Sequence, residues 1–138
     1  MKQWLAKGLQ DMPSVASEIA QLISPGKPIL VEAQMGSGKT TFAKFLVEAL
    51  GGLESEVSSP TFSIIQCYDI AKGLKFHHVD LYRIKDVEEF YDLDMEPYLS
   101  ENAYLYIEWP QLFLDAFDMP HTQITINKNQ GLRDLSLF

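Results

Sequence analysis

At 138 residues, with 46% apolar and 22% charged content, the chain has the size and balance of one globular domain with a real core. A net charge of −8 argues against nonspecific nucleic-acid binding through a broad basic face, while leaving room for a basic protein partner. A single cysteine, Cys67, excludes an intrachain disulfide, and no apolar run approaches the roughly 18 residues of a membrane span.

Residues 1–11 carry Lys2 and Lys7 without the apolar stretch of a signal peptide, so a reducing, cytoplasmic setting is expected. Val15, Ile19, Leu22 and Ile23 recur at helical spacing and predict an amphipathic helix over residues 13–23, with Pro13 in its first turn and Ser24-Pro25-Gly26 ending it. Pro28 to Val31 begins the first core strand. Cys67 reads as a small buried strand residue.

That strand leads into Glu32-Ala33-Gln34-Met35-Gly36-Ser37-Gly38-Lys39-Thr40-Thr41, and a helical pattern follows from Lys39 to Leu50. Strand, Gly-rich loop, Lys-Thr and helix in this order are the context of a phosphate-binding P-loop. Backbone N–H groups of such a loop converge on phosphate oxygens, and the helix directs its positive end at them. Lys39 is placed for the β- and γ-phosphates and Thr40 for Mg²⁺. Ala33 holds the position usually taken by the first Gly, which is harmless where φ is negative and costs roughly 1 kcal/mol or more where it is positive. Phe42, Phe45, Leu46 and Ala49 form the expected buried stripe of the helix, and Gly51-Gly52 stops it.

Ser58-Ser59-Pro60-Thr61-Phe62 is a polar segment feeding a strand. Residues 61–70 and 74–82 predict a hairpin around Ala71-Lys72-Gly73, with Phe76, His78, Asp80 and Tyr82 on one face. Asp86 is a candidate N-cap of a short acidic helix to Tyr91, and residues 94–100 suggest another helical turn or two. Ala103 to Ile107 is an apolar strand ending at Glu108-Trp109-Pro110, and Pro110 is placed to open a helix through Phe117. Gln123 to Asn127 and Leu132 to Phe138 read as closing strands around the turn Asn129-Gln130-Gly131.

Hydrolysis at a P-loop also needs a carboxylate near Mg²⁺ and a group that positions water. Glu108, at a strand's carboxyl end, resembles the acid of a Walker B strand, and Asp80 is the other candidate for metal or water. Thr61 is placed either as a switch threonine sensing γ-phosphate or as a plain turn residue. His77 and His78 lack the spacing of a zinc site and read as structural or hydrogen-bonding groups. Trp109 reads either as packing or as a contact that reports the nucleotide state. Glu88, Glu89, Asp92, Asp94 and Glu96 form either a solvated helix face or a docking surface for a basic partner. Only two arginines exist, Arg83 and Arg133, so turnover is expected to be weak unless Arg83 or a partner supplies transition-state charge.

The Gly36-Ser37-Gly38-Lys39-Thr40-Thr41 loop is followed by Ser58-Ser59-Pro60-Thr61-Phe62, His78-Val79-Asp80-Leu81-Tyr82-Arg83 and Ile107-Glu108-Trp109-Pro110. Together they resemble the TsaE (formerly YjeE) ATPases of bacteria over roughly residues 12–135. The resemblance implies an α/β, single-domain P-loop NTPase fold over residues 1–138, with a mixed, mainly parallel sheet carrying an antiparallel hairpin and flanked by helices. It implies a Mg²⁺-dependent ATPase with ATP and Mg²⁺ as its cofactors. Nucleotide would be held by Gln34, Met35, Gly36, Ser37, Gly38, Lys39, Thr40, Thr41 and Thr61, with Thr40 and Glu108 toward Mg²⁺ and Asp80, Glu108 and Lys39 in catalysis. The implied partners are TsaB and TsaD, which make the threonylcarbamoyl modification of adenosine beside the tRNA anticodon, so tRNA is met through that complex. ATP hydrolysis would reset TsaB–TsaD between turnovers. The family usually has Gly where this chain has Ala33, and often Glu where it has Gln111. Competing readings are a P-loop small-molecule kinase, a GTPase switch and a nucleotide-gated interaction module without turnover. Asn127-Lys128-Asn129-Gln130 lacks the Asp that would accept guanine N–H groups.

Overall fold

The computed structural model describes residues 1–34, 36, 38–53, 57 and 64–138. The apolar run before the Gly-rich loop becomes β2 (Ile29–Ala33), the central strand of a seven-stranded sheet. The other strands are β1 (Lys2–Ala6), β3 (Ile65–Asp69), β4 (Lys75–Asp80), β5 (Ala103–Glu108), β6 (Thr122–Asn129) and β7 (Leu132–Leu137), in the order β1-β7-β6-β2-β5-β4-β3. β6, β2, β5 and β4 run parallel, while β3, β7 and β1 add antiparallel pairs at the two sides. The α/β class and the mixed, mainly parallel sheet with its hairpin therefore hold.

Both faces of the sheet are covered, as a parallel sheet requires. Side chains alternate along each strand, so Ile29, Val31 and Ala33 join Phe76, Tyr104, Tyr106, Ile124 and Ile126 on one face. Helices α1 (Met12–Ala20) and α2 (Lys39–Ala49) pack there through Val15, Ile19, Phe42 and Leu46. Leu30, Val79, Leu105 and Ile107 point the other way, against Phe90 of α3 (Val87–Asp92) and Phe113 and Phe117. All six residues of β5 are buried, which explains its unbroken apolar reading.

Several expectations shift in detail. The buried stripe of α2 is Phe42, Ala43, Leu46 and Val47; Ala49 is exposed and Phe45 only half buried, because α1 and the sheet meet the helix one position round. Leu22 falls after the end of α1 and is exposed. Cys67 is exposed rather than buried, its Sγ 2.9 Å from Nδ1 of His77 on the neighbouring strand. Asp86 does cap α3, accepting from the backbone N–H of Glu89 at 2.8 Å. Residues Glu96–Tyr98 form a single 3₁₀ turn. After Pro110 the chain forms a kinked 3₁₀ segment, Gln111–Ala116, not an α-helix: its bonds run Phe113 N–H to Pro110 and Phe117 N–H to Leu114. β6 and β7 close through Gln130 and Gly131, both left-handed, as a two-residue hairpin turn needs. β1 was not foreseen; as an edge strand with only Ala6 buried, it carries little apolar alternation. The Ser58–Phe62 segment, with Thr61, lies outside the described residues, as do Met35 and Ser37.

The phase of α2 is testable by urea unfolding. Phe42→Ala should cost about 3–5 kcal/mol, whereas Ala49→Ser on the same helix should stay within about 0.5 kcal/mol.

Candidate phosphate-binding site

The site sits where β2, β4 and β5 end, the ligand-binding edge of an open parallel sheet. β2 delivers the loop. Ala33, the departure from the usual Gly, is its last residue, paired with Ile126 and outside the left-handed region, so its methyl group brings no backbone strain. Gly36 and Gly38 do adopt left-handed φ values of 76° and 98°. Gly38 caps α2, and its carbonyl accepts the first helical bond from Phe42 at 2.7 Å. The helix start is tied to the sheet by Tyr106 of β5, whose hydroxyl donates to the Lys39 carbonyl at 3.1 Å. Complete burial, reinforced by the nearby Glu108 charge, holds the Tyr106 phenol well above its ordinary pKa, so it remains a donor.

Parallel pairing sets Asp80 of β4 opposite Glu108 of β5, on the face that α2 covers. The two carboxylates differ in access. Asp80 is half buried and accepts from the Tyr82 backbone N–H at 2.9 Å. Burial raises its pKa above the ordinary 3.8; the Glu108 charge adds to this, while the Tyr82 bond, His78 and Lys39 pull the other way. Glu108 is 1% exposed, with Oε2 3.0 Å from Nε2 of the fully buried His78. Its Oε1 has no partner among the described residues.

Trp109 follows Glu108 in a left-handed conformation, φ 59°, which costs an L-residue roughly 1–2 kcal/mol. The turn throws its ring over the loop: Lys39 Nζ lies 4.0 Å from the ring centroid, and Tyr82 packs on the indole at 5.1 Å. Lys39, Thr40, Thr41, Gly36 and Gly38 share one cavity of about 450 Å³ with Asp80, Tyr82 and Trp109. Glu108 is buried and outside the cavity lining, although the residue opposite it, Asp80, lines the cavity; Gln34 is exposed and also outside the lining. Thr40, Asp80 and Glu108 are hard oxygen donors of the kind Mg²⁺ takes together with phosphate and water oxygens. No group of three or more His, Cys, Asp or Glu among the described residues forms a metal site by itself. The orphaned Oε1 beside a second carboxylate is nevertheless what a hard cation would resolve.

Two contributors escaped the sequence reading. Arg133 of β7 is only 9% exposed and lines the same cavity, and a Cβ on Gly38 would stand 3.3 Å from its Nε. The arginine at the loop is therefore Arg133, whereas Arg83 is exposed and outside the cavity lining. Leu9, in the turn after β1, closes the same side. No local signal marks either residue, since both arrive through pairing of the terminal strands. Asn127 to Gln130 is the end of β6 and its turn. His77 sits edge-on to Tyr98, at 5.0 Å, and takes no part in the site. Gln111 is exposed and outside the cavity lining. A second cavity of about 340 Å³ on the opposite face, lined by Phe90, Met95, Leu105 and Phe117, gathers none of these residues.

A raised folded-state pKa means that ionised Asp80 costs stability as pH rises from 3.8 through the folded value. Asp80→Asn, which keeps an acceptor for Tyr82, should therefore melt at a higher temperature than the parent at pH 7, the gap closing below pH 3.8 in calorimetry. Gly38→Ala should lose about 1 kcal/mol or more from the left-handed φ and displace Arg133, seen as weakened nucleotide binding in a titration.

A model of the family described as "Threonylcarbamoyl adenosine biosynthesis protein TsaE" matches residues 6–135. The chain is similar to the tRNA threonylcarbamoyladenosine biosynthesis protein TsaE of Bacillus subtilis (strain 168), at 33% identity over 130 residues, 93% of this chain and 80% of that protein. The protein of that description in Aquifex aeolicus is 36% identical over 112 residues, 80% of this chain and 78% of the other. The one in Rickettsia conorii is 31% identical over 117 residues, 85% of this chain but 66% of the relative, so the chain spans about two thirds of that protein's length. Among solved structures, the crystal structure of Bacillus subtilis YdiB superposes with a TM-score of 0.70 at 24% identity, over 99% of this chain and 83% of that one, and shares the fold. With a phosphate loop built on β2, paired acids at the ends of β4 and β5, and a family match across almost its whole length, the chain belongs to the TsaE family.

Proposed function

We propose that residues 1–138 act as a single cytoplasmic ATPase domain. It binds and hydrolyses ATP with Mg²⁺ and cycles the TsaB–TsaD complex during threonylcarbamoyladenosine formation on tRNA. The observation that carries this reading is the single cavity in which Asp80 faces Lys39, Thr40 and the left-handed glycines of the loop. A loop that only held phosphate would need no half-buried carboxylate across from its lysine.

In this reading the loop N–H groups from Gln34 to Thr41 cradle the phosphates. Lys39 leaves the Trp109 ring for the β- and γ-phosphates, a short move because both lie in one cavity. Thr40 and Glu108 hold Mg²⁺, which supplies charge neutralisation at the phosphates when bound. Asp80 orients water, and its raised pKa brings the carboxyl closer to the range of a working base. Arg133 lies against the loop for phosphate charge, and Thr61 would report the γ-phosphate. tRNA is met through TsaB–TsaD, in keeping with the acidic balance of the chain.

The test is Mg²⁺-dependent ATP turnover by the chain alone and with TsaB–TsaD. Slow turnover that rises with the complex and vanishes in Lys39→Ala supports the reading. Asp80→Ala should lower kcat by about 10²–10⁴-fold with nucleotide affinity near the parent's. Loss of nucleotide binding in that variant would remove Asp80 from catalysis. Binding without turnover in either setting would make the chain a nucleotide-gated module, and transfer to a small acceptor would make it a kinase.

A further inference from the structure

His78 of β4 and Glu108 of β5 form a buried pair beside Asp80, which lines the cavity. His78 stands two residues before Asp80 on β4 and opposite Tyr106 on β5, so it meets Glu108 diagonally across the two strands. Its ring is fixed on two sides, edge-on to Tyr106 at 5.3 Å and tilted against Tyr68 at 6.4 Å. His78 is 0% exposed and Glu108 1%. One carboxylate oxygen is thereby paired with this histidine.

Glu108 Oε1 is buried and has no hydrogen-bond partner among the described residues, and the same holds for Nδ1 of His78 at the far end of the pair. A pair serving only to satisfy itself in a core would close both ends, because each buried unsatisfied polar atom is costly; of the two, Oε1 is the one whose residue pairs with Asp80 of the cavity wall. The unpartnered oxygen belongs to the residue that register sets opposite Asp80, a carboxylate whose pKa the Glu108 charge helps to raise.

We propose that His78 is a positioning residue for the divalent cation of the site: its Nε2–H holds Oε2 of Glu108, reserving Oε1 for the metal. The inference rests on the reading of Glu108 as a metal ligand given above. It extends that reading to a neighbour which touches neither nucleotide nor metal. Outer partners of this kind orient ligands, and their loss typically weakens metal binding by about 10–100-fold.

The test uses Mn²⁺ as probe on the full chain saturated with a non-hydrolysable ATP analogue, with free Mn²⁺ read by electron paramagnetic resonance. His78→Asn, too short to reach Oε2, should weaken Mn²⁺ by about 10–100-fold and leave nucleotide affinity without divalent metal unchanged. His78→Gln, whose amide N–H reaches further, should recover much of the loss. A folded His78→Asn that binds Mn²⁺ like the parent overturns the proposal. Should the His78→Asn variant fail to fold, the parent protein still decides by ring ¹⁵N spectroscopy. The Nε2–H signal of His78 should shift when Mg²⁺ joins the nucleotide, and an unmoved signal overturns the proposal. Glu108→Gln separates the two levels. Unchanged Mn²⁺ affinity there refutes Glu108 as a ligand, whereas loss in Glu108→Gln with none in His78→Asn refutes only the role of His78.

Discussion

Side-by-side placement of two carboxylates by the β4–β5 ladder is the constraint around which the rest of the site is arranged. Parallel register makes Asp80 and Glu108 neighbours on one face, and burial removes much of the water that would screen them. Folding does not gain from such a pair. Desolvation, and to a lesser degree the Glu108 charge, raise the pKa of Asp80, and the stability of the fold is carried by the apolar strands around it. A locally unfavourable arrangement held by a rigid scaffold is a common property of sites that bind charge.

The surrounding groups make sense against that constraint. His78 takes one oxygen of Glu108, and the Tyr82 backbone N–H takes one of Asp80. Tyr106 pins the first residue of α2, so the loop and Glu108 are referenced to the same strand, β5. Lys39, the one cation of the loop, rests on the indole of Trp109 and contributes to the field at Asp80. Trp109 adopts a left-handed backbone to provide that platform, another local cost at the site. The opposite side is closed by Arg133 and Leu9, which come from the β1–β7 addition to the parallel core.

Much of this was legible beforehand because the signals are local. Gly36 and Gly38 announce a loop that needs left-handed φ, and the run before them announces a buried strand. Asp86 announces a cap through its short acceptor side chain, and Asn129 to Gly131 a tight turn. Readings failed where neighbours decide. The phase of α2 turned on how α1 meets it, which exchanged Ala49 for Ala43 and Val47. Cys67 looked like a core residue by type, but β3 is the outermost strand on its side of the sheet and its side chain is exposed. The segment after Pro110 has the apolar content of a helix but forms a 3₁₀ segment kinked at Phe113, the residue whose ring stacks on Phe90.

The sequence by itself determined most of the elements, the Gly-rich loop after β2 and the acids at the ends of β4 and β5. Each rests on spacing within a few residues, and backbone sterics and side-chain periodicity act over that range. Only the tertiary structure decided that Glu108 is sealed against His78 while Asp80 opens to the cavity. Only it decided that Arg133, not Arg83, reaches the loop, and that Ala33 sits in strand geometry without strain. These depend on strand order and register between segments tens of residues apart, and side-chain type alone carries no record of which partner a strand will meet.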